Sequence, residues 1–203
     1  EMVNRIKNPT KSIKVAVVGK YVELKDAYIS IDESIKHAGY HLYTKCDIDY
    51  IQAEDVDVST LSNYDGILVP GGFGHRAVEG KINAIEFARE HKIPFFGICL
   101  GMQTTVIEYA RNILGYDGAN STEFDPETKF PVIDLLPDQK DIENMGGTMR
   151  LGIYPCKLKD GTLAKKLYNE ELIYERHRHR FEFNNEFKDA IQAAGLVISG
   201  SSP

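Results

Sequence analysis

Ile93-Pro94-Phe95-Phe96-Gly97-Ile98-Cys99-Leu100-Gly101 is the stretch on which the reading of this sequence turns. Ile93–Ile98 has the length and apolar character of a buried strand, and Leu100–Ile113 has the pattern of a helix. Between them stands Gly97-x-Cys99-x-Gly101, the form of a nucleophile elbow. There the chain turns so tightly that the central residue takes a strained backbone, and its neighbours must be small. Such a turn lifts the Cys99 sulfur clear of the sheet and places it at a helix N-terminus, whose partial positive charge favours thiolate. The N–H of Leu100 is then left to bind a developing oxyanion. The bland alternative is a packed core cysteine, because free cysteines are among the most buried residues. The two glycines and the strand-to-helix position decide against it for Cys99. Cys46 and Cys156 lack that setting and are read as packing residues.

Upstream, Asp65–Val69 reads as another strand and is broken by Pro70-Gly71-Gly72-Phe73-Gly74. Both motifs then lie at the carboxyl ends of strands, where open α/β sheets bind ligands. The glycines allow close backbone approach and offer the N–H of Gly72 as a second oxyanion donor. Gly72-x-Gly74-x-x-Ala77 also fits a loose dinucleotide fingerprint. The preceding proline is awkward for that motif's strand-turn-helix entry.

Strands at Ile13–Val18 and His41–Cys46 and helices at Asp26–His37 (stopped by Gly39) and Glu79–His91 complete an alternating pattern. It predicts an α/β fold, a doubly wound and mostly parallel sheet flanked by helices. Residues 1–12 read as an interdomain linker and 13–203 as one domain. Beyond Gly115 the pattern loosens. Asn120–Lys140 is expected to be loops with short strands, followed by strands at Met149–Tyr154 and Leu172–Phe183. A short helix at Asn185–Ala194 and a last strand at Leu196–Ser199 close the sequence.

Composition narrows the function. Hydrophobic residues make up 42% and charged residues 27%, ordinary values for a globular protein. No apolar run approaches the roughly 18–20 residues of a membrane-spanning helix. Three scattered cysteines suit neither a disulfide framework nor a metal site, and they point to a reducing, cytoplasmic setting. The net charge of −6 argues against nucleic acid and for a small molecule or a protein as partner. Arg176-His177-Arg178-His179-Arg180 would put three arginines on one strand face and two histidines on the other. That row suits an anion or an acidic partner, and equally a solvated, charged edge strand.

PGGFG at 70–74, GICLGMQ at 97–103, TEFDP at 122–126, GGTMRLG at 146–152 and ERHRHRFEFN at 175–184 resemble, in order and spacing, class I glutamine amidotransferases of the CTP synthase type. The resemblance implies that Cys99 attacks the side-chain amide of L-glutamine, with the N–H groups of Gly72 and Leu100 as the oxyanion hole. It places Gln103 beside the substrate, Glu123 on the α-ammonium and Arg180 on the α-carboxylate. It further implies no metal in this part, and ammonia passed to a synthetase domain that aminates UTP with ATP and Mg²⁺. GTP would act as activator, through Phe73 and a lid at Gly146–Gly152, and the full protein would be a homotetramer.

The family's base is a histidine, with a glutamate two residues on in an HPE motif. It is expected a few tens of residues beyond Ser199–Pro203, which makes this sequence a fragment without its catalytic His/Glu and with a weakened site. Two other readings compete. One is a cysteine peptidase on the same elbow, against which Glu123 and Arg180 argue. The other is a non-catalytic effector-binding or assembly module, against which Cys99, Gln103 and Glu123 argue.

Overall fold

Lys11–Gly19 forms strand β1, whose second half, Ala16–Gly19, is fully buried, and the other strands of its sheet are laid down on either side of it. The computed structural model describes residues 1–20, 25–72, 77–135 and 149–203 and divides the chain into two units, Glu1–Glu108 and Tyr109–Pro203.

In the first unit a short helix α1 (Met2–Lys7) precedes β1. Then come α2 (Ile29–His41), β2 (Thr44–Gln52), β3 (Gly66–Val69), α3 (Val78–Glu90), β4 (Phe95–Gly97) and α4, which begins at Leu100 and runs to Asn112. The four strands make one parallel sheet in the order β2-β1-β3-β4. Successive crossovers therefore lead first to one side of β1 and then to the other, the doubly wound arrangement the alternating pattern predicts. Alternation along the strands sorts the core. Ala16 and Val18 of β1 and Ile67 and Val69 of β3 join Ala84, Ile85 and Ala88 of α3 in a single buried cluster.

The second unit contains β5 (Asn120–Ser121), β6 (Pro131–Asp134), β7 (Arg150–Leu158), α5 (Leu163–Tyr168), β8 (Leu172–His179), β9 (Glu182–Phe183), α6 (Lys188–Ala193) and β10 (Gly200–Ser201). Two three-stranded sheets, β10-β7-β8 and β5-β6-β9, organise it. Tyr116 stacks on Phe130 with ring centroids 4.6 Å apart, and the Tyr109 hydroxyl donates to the Ala194 carbonyl at 2.6 Å.

Several boundaries differ from the sequence reading, each for a local reason. Helix α2 runs through Gly39 rather than stopping there. A Cβ at Gly39 would come within 2.6 Å of the Thr44 carbonyl and 2.7 Å of the Cys46 sulfur, so this glycine serves helix–strand contact. Strand β2 accordingly starts at Thr44 instead of His41. The run at Ile93–Ile98 yields only the short β4, and its Phe96 is 64% exposed rather than buried. The expected last strand at Leu196–Ser199 is replaced by β10, which pairs antiparallel with Lys157 and Leu158 of β7. Residues 1–12 hold α1 and the first two residues of β1.

Two buried charges, Glu108 and Lys81, mark the packing of α3. Arg89 donates from Nε and Nη2 to one Glu108 carboxylate oxygen of α4, at 2.9 and 2.8 Å, and Glu108 is 1% exposed. A carboxylate this buried is tolerable because it is paired. Lys81 is the more unusual of the two. Val78, Lys81, Ile82, Ile85 and Ala88 fall on one helical stripe, and all are buried. Lys81 is 1% exposed, and among the described residues no carboxylate forms an ion pair with it. Burial, reinforced by the positive charge of Lys20, pulls its ammonium down from 10.5 to about 8, while Cys99 pulls the other way. That depression corresponds to roughly 3 kcal/mol of disfavoured charge at neutral pH.

Two predictions follow from this packing. Gly80 of α3 lies against the Ala53 carbonyl so closely that a Cβ would fall on the backbone oxygen. Gly80→Ala should therefore cost about 1–3 kcal/mol by overpacking, read as a lowered urea midpoint. Lys81→Met should raise stability at pH 7, because an apolar chain of similar length removes the buried charge. The gain should shrink between pH 8 and 10.5. In that window the folded wild type has shed the Lys81 proton that its unfolded chain still holds, so wild-type stability climbs there and the variant lacks that climb. Paired urea titrations at pH 7 and pH 10 check this, and a gap that ignores pH would contradict it.

Candidate active site

Cys99 sits between β4 and α4 with φ +54, in the left-handed region that residues bearing a Cβ rarely occupy. The neighbouring hydrogen bonds hold it there. The Ile98 N–H donates to the Val69 carbonyl at 2.9 Å, tying the end of β4 to β3, and the Gly101 N–H donates to the Ile98 carbonyl at 2.9 Å. The Cys99 carbonyl accepts the Gln103 N–H at 3.0 Å, the first turn of α4. Thr104 and Thr105 return their hydroxyls to the carbonyls of Leu100 and Gly101, at 2.9 and 2.7 Å.

Both flanking glycines are required by space. A Cβ at Gly97 would stand 2.6 Å from the carbonyl group of Gly101, and one at Gly101 would fall on the Val69 carbonyl oxygen. The elbow is thus closed by backbone against backbone, which explains the G-x-C-x-G spacing without appeal to any ligand. Holding a non-glycine residue in this region costs roughly 1–3 kcal/mol, and such strain concentrates where a side chain must be presented.

The other glycine motif meets the elbow. A Cβ on Gly71 would lie 3.3 Å from Cys99 Cβ and 3.8 Å from its sulfur. One on Gly72 would lie 3.7 Å from Leu100 Cδ2 and 3.8 Å from Lys81 Nζ. The structure therefore brings together Cys99, Leu100 and Gly72, the three residues expected to form the nucleophile and the oxyanion hole. Gln103 lies in the first turn of the same helix and is 5% exposed. Phe73 lies outside the described residues, as does the part of the Gly146–Gly152 segment at 146–148.

The remaining expected residues belong to the second unit. Glu123 follows β5, partly buried, and its N–H donates to the Ser121 hydroxyl at 3.2 Å. The arginine–histidine row divides into two parts. Arg176 and Arg178 stand exposed on β8, an edge of its sheet among the described strands, where they match the solvated-edge reading. Arg180 lies past the end of β8, partly buried, and its Nε is enclosed without a hydrogen-bond partner among the described residues. His177 and His179 share the opposite face, with Nδ1 of the first 2.7 Å from Nε2 of the second. Burial, the largest influence, lowers the His179 pKa, and His177 and Arg150 act in the same direction against Glu182. Arg150 holds Glu182 through both carboxylate oxygens at 3.0 Å.

Cys46 and Cys156 behave as packing residues. Burial, the largest cause in each, raises both thiols above their ordinary values. Lys81 is the residue that sequence reading missed. Its signal was present, because position 81 falls on the apolar stripe of α3, but a lysine there is read as surface.

Comparison with known proteins agrees with this geometry. A CTP synthase of Clostridium perfringens is 60% identical over 207 residues, covering all of this chain and 39% of that protein. One from Shouchella clausii is 56% identical over 207 residues with the same coverage. The chain thus spans about two fifths of the length of the curated relatives it matches. Among solved structures, the glutaminase domain of Trypanosoma brucei CTPS with bound acivicin superposes with a TM-score of 0.87 at 36% identity. That match covers 94% of this chain and 75% of that one. The family model described as Glutamine amidotransferase class-I matches residues 23–203. With the elbow, the glycine turn and the second unit all inside that match, the chain belongs to the class-I glutamine amidotransferase family.

Proposed function

We propose that this chain is the glutaminase part of a CTP synthase, with Cys99 as the nucleophile. The observation that carries the reading is the left-handed backbone of Cys99, wedged between the contact pairs Gly97–Gly101 and Gly71–Cys99. A fold bears that cost where a reactive side chain must stand clear of its sheet.

In this reading the Cys99 thiolate adds to the side-chain amide carbon of L-glutamine. Negative charge moves onto the amide oxygen, and the N–H groups of Leu100 and Gly72 receive it. Collapse of the adduct expels ammonia and leaves a γ-glutamyl thioester, which water cleaves to glutamate. Glu123 takes the α-ammonium of the substrate and Arg180 its α-carboxylate. The enclosed Nε of Arg180, without a partner among the described residues, is a donor that a carboxylate would satisfy. Gln103 orients the amide end. His177 and His179 are paired with each other on β8, and neither is assigned the proton transfer. That role goes to the family's histidine–glutamate pair in the longer protein.

The remainder of the reading concerns that longer protein. Ammonia would pass to a synthetase domain of the same polypeptide, where ATP and Mg²⁺ support amination of UTP. GTP would activate the glutaminase, with Phe73 and the Gly146–Gly152 segment as its candidate contacts. The assembly would be a cytoplasmic homotetramer.

Acivicin tests the site directly. A polypeptide carrying this chain with its natural flanking sequence should gain one adduct, mapped to Cys99, and excess L-glutamine should block it. Arg180→Met should raise the glutamine concentration needed for half-protection by about tenfold to a hundredfold, the worth of a charged hydrogen bond of about 1.5–3 kcal/mol. An adduct on Cys99 that glutamine does not block would favour a different cysteine hydrolase. No adduct at all would favour a binding module.

A further inference from the structure

Lys81 has no part in the chemistry just described, yet it lies at the same turn. Its position on the buried stripe of α3 would ordinarily hold a hydrophobe, and Met would match its length without the penalty of a buried charge. Its head is placed with care. Gly71 and Gly72 are consecutive residues, and a Cβ on the first would lie 3.8 Å from the Cys99 sulfur. One on the second would lie 3.8 Å from Lys81 Nζ. The sulfur and the ammonium thus rest against the same two-residue turn.

Among the described residues, the charged groups around Lys81 leave few candidates for a counter-ion. Lys20, at the end of β1, repels its charge, and Cys99 is the group that favours it. The acids of the elements packed here, Glu54 and Asp55 in the turn after β2 and Glu79 on α3 itself, occupy exposed positions. None of them forms an ion pair with Lys81 among the described residues. A buried cation is stabilised where an anion compensates it, and among the described residues the anion this turn can supply is the Cys99 thiolate.

We propose that Lys81 is a positioning residue for the nucleophile, a buried ammonium whose counter-charge is the Cys99 thiolate and which holds the sulfur in its reactive form. The proposal rests on Cys99 being the nucleophile. Its test uses no glutamine, so it succeeds or fails separately from the glutaminase reading.

The experiment measures the rate of Cys99 alkylation by iodoacetamide against pH, followed by peptide mass, in the full-length protein and its Lys81→Met and Lys81→Arg variants. Lys81→Met should move the midpoint of the profile up by about one pH unit, which lowers the thiolate share at pH 7 about tenfold. Each remaining thiolate becomes about threefold more nucleophilic as its basicity rises, so the rate at pH 7 should fall about threefold. The plateau at high pH should rise about threefold. Lys81→Arg, which keeps the charge, should stay near the wild-type midpoint. A merely structural lysine would scale the rate at every pH and leave the midpoint in place, and that result overturns the proposal.

A second measurement needs no substitution. Capping Cys99 with the neutral carbamidomethyl group removes the thiolate, so Lys81 should titrate lower in the capped wild type than in the free protein. The ¹³C resonance of its ε-carbon reports this directly. An unchanged Lys81 midpoint after capping would equally overturn the proposal.

Discussion

The site depends on one backbone constraint, the left-handed turn at Cys99 between β4 and α4. Among the described residues its nearest restraints are main chain: the Ile98 N–H on the Val69 carbonyl, the Gly101 N–H on the Ile98 carbonyl, and the near contact of Gly97 with the Gly101 carbonyl group. None of these depends on a ligand, so the thiol is presented before any substrate arrives. The constraint also fixes neighbours. Because Val69 ends β3 and the glycines follow directly after Pro70, anchoring the elbow to Val69 brings the Gly71-Gly72 turn alongside the sulfur. Cys99 and the two N–H groups proposed as its oxyanion donors are positioned by a single strand pairing, β3 with β4. Preorganised backbone donors of this kind cost no rearrangement at the moment of reaction.

Around that frame the first unit spends stability on charge. Arg89 and Glu108 bind α3 to α4 through a paired and enclosed contact, which sets the helix bearing Lys81 against the helix that starts at the elbow. Lys81 then projects a cation toward the glycine turn from the protected side. A surface lysine could offer the same charge, but water and salt would screen it. Burial makes the field of Lys81 count, and the same burial makes it expensive. Stability and reactivity are coupled here through one side chain, in the manner of other strained or charged residues held at functional sites.

Sequence patterning made the first unit legible because its determinants are local. Gly97, Cys99 and Gly101 are close in sequence, and the strand-to-helix switch around them shows in the period of the apolar residues. Helix α3 and strand β3 were readable within a residue or two for the same reason. Gly39 was misread because a glycine near a helix end can be a stop or a close contact, and only the partner strand, with Thr44 and Cys46, decides between them. The tail near Leu196 was misread because β10 is antiparallel and takes its register from β7, about forty residues upstream. Lys81 is overlooked for a different reason: its place on the apolar stripe is visible in the sequence, but patterning counts a lysine as exposed wherever it stands. The roles of Glu123 and Arg180 came from family resemblance, since nothing local to either residue specifies an amino-acid substrate.

The arginine–histidine row shows how one motif can serve two purposes. Alternation along β8 sends Arg176 and Arg178 to the exposed face, where hydration makes them worth little individually. The same alternation turns His177 and His179 inward, toward each other and toward the face that Arg150 and Glu182 share across β7 and β9. The strand then ends, and Arg180 escapes the alternation. Freed from the pleat, its guanidinium is partly enclosed with Nε unsatisfied among the described residues, a condition that costs free energy until an acceptor arrives. Three arginines of identical chemistry thus differ in environment because the strand ends after the second. Of the three, Arg180 is the one with an enclosed donor left without a partner among the described residues, which suits the carboxylate-binding role proposed for it.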